Sequence, residues 1–132
     1  MIGDLIAGIL GLIKKKDFNK ASEQIGRIYY DMLKQDSSYF RSIPPGELTD
    51  KLLSEHDYTN GHLEILAELF NAEAELELAQ GNMTGSLEYS LKSLILFKFI
   101  DTEQKTYSSE RINKMSSIAD RIEMLKRDLN GL

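Results

Sequence analysis

Apolar residues recur every three or four positions along each long segment of the chain, and this spacing constrains the fold more than any other feature. Residues 2–15, 17–35, 62–80, 84–100 and 108–129 each carry one such stripe. A period of 3.6 residues places these side chains on one face of an α-helix. No segment shows the alternation of apolar and polar residues that is typical of a half-buried strand. The sequence therefore predicts an all-α fold.

The helices are expected to form a single domain, because 132 residues suffice for one core of ordinary size. We predict about five long helices and one short one. They are arranged as a hairpin at about residues 2–35, a connector with one short helix at about 36–60, a second hairpin at about 62–100 and a closing helix at about 108–130.

Several residues predict where the helices begin and end. Asp17 is expected to cap the second helix, because its carboxylate can accept a hydrogen bond from a free backbone N–H of the first turn. Gly81 is expected to end the helix that starts near His62, in the manner of a glycine C-cap. Asp101 and Thr102 are expected to interrupt the chain after the next helix.

Composition excludes several classes of protein. The chain has no cysteine, which excludes disulfides, thiolate metal sites and cysteine nucleophiles. Its 16 Lys and Arg against 21 Asp and Glu give a net charge of -5, which disfavours direct contact with nucleic acid. The apolar stretch from Leu5 to Ile13 is too short to span a membrane. It is followed by lysines where a signal peptide would have its cleavage site. We therefore expect a cytoplasmic protein that does not contact nucleic acid directly and does not span a membrane.

The segment from Leu78 to Leu94 resembles the inter-helix turn and second helix of a tetratricopeptide repeat. Gly81 and Asn82 match the turn of that repeat, and Ser86 and Ser93 match two of its small positions. The small residues allow neighbouring helices to approach closely. Two positions depart from the pattern, where the family has an aromatic and a bulky residue: Met83 and Ser90. Upstream, two more positions match its large and small packing residues: Phe70 and Ala74.

The first hairpin repeats part of this pattern. Lys16, Asp17 and Phe18 resemble the same turn, and Ala21 matches the first small position, whereas Ile28 stands where a second small residue is expected. The resemblance implies tetratricopeptide-like antiparallel hairpins in a right-handed superhelix; a plain helical bundle is the alternative. The layout of the whole chain is also similar to a family of small bacterial proteins, and that resemblance implies no activity.

The sequence contains no pattern that points to catalysis. His56 and His62 fit no standard spacing of metal ligands. No serine lies in a Gly-x-Ser-x-Gly turn. The segment from Gly8 to Gly11 lacks the Lys and Ser or Thr of a phosphate-binding loop. We therefore expect no catalytic residue, no metal ligand and no cofactor.

The helix at residues 62–80 is one candidate for binding a protein partner. It carries five glutamates and neither Lys nor Arg. In a tetratricopeptide-like arrangement Glu68, Asn71 and Glu75 lie toward the concave side, where an acidic face attracts a basic partner. The alternative is a solvated acidic face, partly offset by basic residues of the last helix: Lys114, Arg121, Lys126 and Arg127.

The first helix is the second candidate, because it has almost no polar face. Gly3, Ala7 and Gly11 form a row of small residues that would let another helix approach closely. Three placements are open: burial on both sides, a surface for self-association or a partner, and contact with a membrane. The residues that we predict for self-association are Leu5, Gly8, Ile9, Gly11 and Leu12.

Taken together, the sequence predicts a non-enzymatic protein-interaction or scaffold domain whose protein partner is unknown. Two hairpins are fewer than the three or more repeats that a stable stack needs, so we expect a homodimer or a subunit of a larger assembly. The alternative function is a small-ligand-binding or enzymatic helical domain. Its pocket would be lined by Tyr29, Tyr30, Tyr39, Tyr58, His56 and His62.

Overall fold

The computed structural model describes residues 2–55, 58–104 and 108–131, and every regular element in these ranges is helical. The elements are α1 (Ile2–Lys14), α2 (Phe18–Leu33), α3 (Ser37–Arg41), a 3-10 turn (Pro45–Glu47), α4 (Leu48–Glu55), α5 (Asn60–Ala79), α6 (Met83–Gln104) and α7 (Ser109–Asn130). The predicted all-α fold is confirmed. The connector between the hairpins contains two short α-helices, where the sequence predicted one.

The local signals for helix ends act where they were predicted. The Asp17 carboxylate accepts a hydrogen bond from the backbone N–H of Lys20 at 3.3 Å, so it caps α2. Gly81 follows α5 with a φ of +85°, a left-handed conformation that glycine adopts without steric strain. Its N–H donates to the Leu78 carbonyl, which would otherwise lack a partner at the end of the helix.

The prediction that Asp101 and Thr102 interrupt the helix is wrong, because α6 continues through both to Gln104. The Asp101 carboxylate forms an ion pair with the Arg111 guanidinium of α7 at 3.0 Å. The Thr102 hydroxyl donates to the Lys98 carbonyl one turn earlier. Both polar side chains therefore form their bonds while the backbone stays helical. The presence of polar residues did not by itself indicate the end of the helix.

Helix α5 lies at the centre of the fold. It packs against α1 and α2 on one side and forms a long antiparallel hairpin with α6, which in turn packs against α7. The seam between α5 and α6 contains Ser86 and Ser93, which are fully buried. Their hydroxyls donate to the carbonyls of Ala74 and Ala67, each at 2.8 Å. Small side chains at these positions let the two backbones come close enough for such bonds.

Helix α1 lies at one side of this arrangement, and its packing is one-sided. It buries Ile6, Ile9 and Ile13 in the common core. Within the described ranges, no helix is long and apolar enough to span a membrane.

Candidate functional site

The three predicted partner-binding residues of α5 all contact basic side chains of α7. Glu68 forms an ion pair with Lys114, and the Glu68 side chain is buried. The Arg121 guanidinium donates to Glu75 Oε1 at 2.5 Å and to Asn71 Oδ1 at 2.6 Å. The acidic face is therefore offset by α7 of the same chain.

This pairing limits what the acidic face can do. A shallow depression of about 320 Å³ remains between α5 and α7, lined in part by Asn71, Glu75 and Arg121. The carboxylates of Glu68 and Glu75 are already paired with cations of α7. A basic partner would therefore have to displace these cations before it could bind. Partner binding at these residues stays a prediction.

The five residues predicted for self-association divide between the core and the surface. Leu5 and Gly8 are exposed, with Leu5 exposing 43% of its area, and Gly11 and Leu12 are half-buried. Ile9 is fully buried, so its place in the predicted surface is wrong. The reason is helical periodicity: Ile9 shares the inward face with Ile6 and Ile13, at intervals of three and four residues.

Of the three placements left open for α1, burial on both sides does not hold within the single chain. Its outer face exposes Asp4, Leu5, Ala7 and Gly8. At Gly8 and at Gly11, an added Cβ would meet no atom of another part of the fold within 4 Å, as far as residues 2–55, 58–104 and 108–131 are concerned. The fold of a single chain therefore does not need glycine at either position. We call the set Asp4, Leu5, Ala7, Gly8, Gly11, Leu12 and Lys15 the outer face of α1.

Three tyrosines of the alternative, ligand-binding prediction pack around Phe40. Tyr29 stacks on Phe40 with ring centroids 5.5 Å apart, and Tyr58 lies against both Phe40 and His62. Tyr39 meets Phe40 edge to face. Tyr30 is exposed and His56 lies outside the described residues. These rings contribute to packing between α2, α3 and the start of α5.

His62 acts at the start of α5. Its backbone N–H donates to the Thr59 hydroxyl, and its Nδ1 accepts a hydrogen bond from the Thr59 backbone N–H at 3.1 Å. This reciprocal arrangement is a capping box with histidine in the place of the usual Glu or Gln. Accepting at Nδ1 requires the ring to be unprotonated there.

Sequence analysis did not single out a buried polar cluster beneath α3. Its buried members are Tyr29 of α2, Glu73 of α5 and Tyr89 of α6, and the exposed Arg41 of α3 joins them from the surface. The Arg41 guanidinium donates through Nε to the Tyr89 hydroxyl at 2.8 Å. Among the described residues, the Tyr29 hydroxyl and Glu73 Oε2 are buried without a hydrogen-bond partner of good geometry. Glu73 lies three residues after Phe70, so both side chains lie on the inward side of α5. This spacing was the one sequence signal that Glu73 is buried.

Burial raises the pKa of the Glu73 carboxyl, because the ionised form loses its hydration in the core. Tyr89 and the positive charge of Arg41 hold part of that rise back. Burial also raises the pKa of Tyr29 and of Tyr89, and the negative charge of Glu73 adds to both. Burial therefore disfavours the ionised form of each of these three groups.

Lys92 of α6 is the other buried polar group that the sequence did not reveal. Its side chain is fully buried, and its ammonium donates to the carbonyls of Phe40 at 3.2 Å and Arg41 at 2.9 Å. Glu88 Oε1 lies 3.5 Å away. Burial lowers the pKa of Lys92, and the carboxylate of Glu88 opposes that change. Lys92 thus ties the end of α3 to α6.

A cleft of about 400 Å³ opens above these groups. Its walls carry two cations, Arg41 and Lys92, and two anions, Glu77 and Glu88. Asn82 donates to Glu77 at 2.6 Å, and Lys92 is held by α3 and Glu88. Arg41 donates to the Tyr89 hydroxyl. The cleft carries two charges of each sign, so it favours no particular ligand charge.

We expect Glu73→Gln to raise the free energy of unfolding by about 1 kcal/mol at pH 8 and by much less near pH 4.5. A raised folded-state pKa means that the stability contribution of Glu73 is complete below its ordinary pKa of 4.5 and is lost as the pH rises through the raised value. Glutamine cannot ionise, so the variant escapes this loss. Urea unfolding at the two pH values measures the difference.

Glu64→Gln is the matched control for this measurement, because Glu64 is exposed on the same helix. It should change stability little at either pH. An equal effect of Glu73→Gln at both pH values would contradict a raised pKa.

Neither the residues present nor the comparisons point to a known activity. In the described part of the chain, no group of three His, Asp or Glu side chains is placed to hold a metal ion. No protein-family model, curated protein or solved structure matches the chain. The functional argument therefore rests on the residues and surfaces described above.

Proposed function

We propose that this protein is a non-enzymatic protein-interaction domain that binds its partner through the outer face of α1. The observation that carries the proposal is the exposure of this face, where Leu5 and two glycine positions are open to solvent or half-buried. Exposed apolar patches on soluble proteins commonly mark interaction sites. The resemblance to tetratricopeptide repeats, which we retain as a proposal, agrees with a role in protein binding.

The glycines of α1 support the same proposal. A glycine in the interior of a helix destabilises it by about 1 kcal/mol relative to alanine. Within the described part of one chain, nothing offsets this destabilisation at Gly8 and Gly11. No atom of another part of the fold lies within 4 Å of the position that a Cβ would take at either residue. A partner backbone that packs closely on α1 would give both positions a reason to lack a side chain.

The alternative of a ligand-binding or enzymatic domain receives less support. The tyrosines and His62 pack on one another, and the neighbouring cleft is lined by charges that already have partners. We therefore favour the interaction domain.

Gly8→Glu tests the proposal. Glutamate is a better helix former than glycine, so α1 should stay folded while a charge appears in the middle of its outer face. We expect the native protein to elute as a complex when an extract of the cells that make it is fractionated by size. The Gly8→Glu protein should elute as a free chain.

Ser116→Glu, at an exposed position of α7, is the control and should elute with the native protein. If native protein and Gly8→Glu elute identically, the outer face of α1 is not a binding surface.

A further inference from the structure

The two ends of the outer face of α1 carry opposite charges. Asp4 lies in the first turn of the helix, and Lys15 directly follows the last turn. Lys15 keeps a helical hydrogen bond, because its N–H donates to the Gly11 carbonyl. Both side chains are exposed, and in the part of the chain that the structure describes neither has an ion-pair partner. At 1.5 Å per residue the two positions lie about 16 Å apart along the axis.

The uncharged part of the face lies between these ends. Ala7, Gly8, Gly11 and Leu12 occupy the middle of the helix, and they present one row of small side chains beside one leucine. No other charged residue lies on the outer face between Asp4 and Lys15. The charge pattern along the face is therefore negative, then apolar, then positive.

We propose that the partner on this face is a second copy of the same chain, with the two α1 helices packed antiparallel about a two-fold axis. The inference rests on the proposed function and names its partner. We place the two-fold axis opposite the point midway between Asp4 and Lys15, between Ile9 and Leu10, so that residues equally distant from this point face one another. Asp4 then faces Lys15 of the second copy, and Lys15 faces its Asp4. An isologous interface forms every contact twice, so the dimer gains two ion pairs.

The same symmetry matches the shapes of the two faces. Gly8 of one copy lies opposite Gly11 of the other, and Ala7 lies opposite Leu12. The helix axes can therefore approach at the short end of the usual 8–10 Å range, because no side chain separates them at the centre. A parallel arrangement would instead place Asp4 against Asp4 and Lys15 against Lys15, and like charges would oppose it.

Reversal of the charges tests this arrangement in purified protein. The single variants Asp4→Lys and Lys15→Asp each replace two attractive contacts by two repulsive ones. Each should weaken dimerisation by about tenfold or more, as measured by sedimentation equilibrium. The double variant Asp4→Lys, Lys15→Asp restores opposite charges at both contacts. Its dissociation constant should return to within about threefold of that of the native protein.

Two matched variants control for net charge and for folding. Asp120→Lys and Lys98→Asp make the same charge changes at exposed positions of α7 and α6, away from α1. They should leave the dissociation constant unchanged, and far-ultraviolet circular dichroism should show native helix content in all five variants. Salt should weaken the native dimer and the double variant alike.

Two results would overturn the inference. One is a native protein that stays monomeric at high micromolar concentration. The other is a dimer that both single variants weaken and the double variant does not restore. If the purified protein is monomeric while Gly8→Glu still removes it from its complex in cell extract, the partner is a different protein. The proposed function then stands without this inference.

Discussion

Replacing Lys92 by alanine is expected to lower the free energy of unfolding by about 3 to 5 kcal/mol. The fully buried side chain leaves a cavity beside Phe70 and Tyr89, whose ring centroids each lie 5.8 Å from the ammonium. The Arg41 carbonyl at the end of α3 also loses the ammonium as donor, whereas the Phe40 carbonyl keeps the hydrogen bond from the Ile43 N–H at 3.3 Å. Urea denaturation of the purified variant measures the change.

Two further variants separate the causes of this loss. Lys92→Met keeps most of the apolar stem and removes the ammonium together with its desolvation cost, so it should destabilise less than alanine does. Lys98→Ala, at an exposed position of the same helix, should change stability by no more than about 0.5 kcal/mol. A Lys92→Ala protein as stable as Lys98→Ala would show that α3 does not depend on this side chain.

Arg121→Ala is expected to lower the free energy of unfolding by about 2 to 3 kcal/mol. Arg121 joins α7 to two helices at once: it bonds Asn71 and Glu75 of α5, and its Nε donates to the Ser90 hydroxyl of α6 at 2.9 Å. Glu75 is partly exposed and can be hydrated when its partner is removed, which limits the loss. Amide hydrogen exchange should accelerate mainly in α7.

Arg121→Lys keeps the charge and loses the three-way geometry of the guanidinium, so it should recover only part of the stability. Arg127→Ala, at an exposed position of the same helix, is the control and should be nearly neutral. Equal exchange rates in α7 of the native and Arg121→Ala proteins would contradict the role assigned to Arg121.

The helices could be predicted from sequence because their signals are local. The spacing of apolar residues indicates each long helix, and Asp17 and Gly81 act within one turn of their own positions. The interruption at Asp101 failed because a polar residue ends a helix only when its backbone finds a better partner elsewhere. Here the Asp101 side chain pairs with Arg111 while the backbone stays helical.

The candidate sites were harder to predict because they depend on contacts between distant segments. Glu68 and Glu75 are acidic in any arrangement, but only the position of α7 determines that Lys114 and Arg121 offset them. Lys92 resembles an ordinary surface lysine until α3 is placed above it. On α1, an apolar stripe that nearly encircles the helix did not reveal that Ile9 faces the core and Leu5 faces outward.

Site-directed photo-crosslinking tests most directly whether the outer face of α1 binds protein. The chain has no cysteine, so a single introduced cysteine carries the crosslinker at a unique position. Leu5→Cys places it at the exposed edge of the outer face of α1 and leaves Gly8 and Gly11 unchanged. Ser117→Cys places it in the depression between α5 and α7, beside the acidic residues.

We predict that irradiation in cell extract produces protein adducts from position 5 and none from position 117. Mass spectrometry of the adduct then identifies the partner, whether a second copy of this chain or another protein. Adducts from position 117 and none from position 5 would contradict the proposal and would place the binding surface on the acidic face of α5.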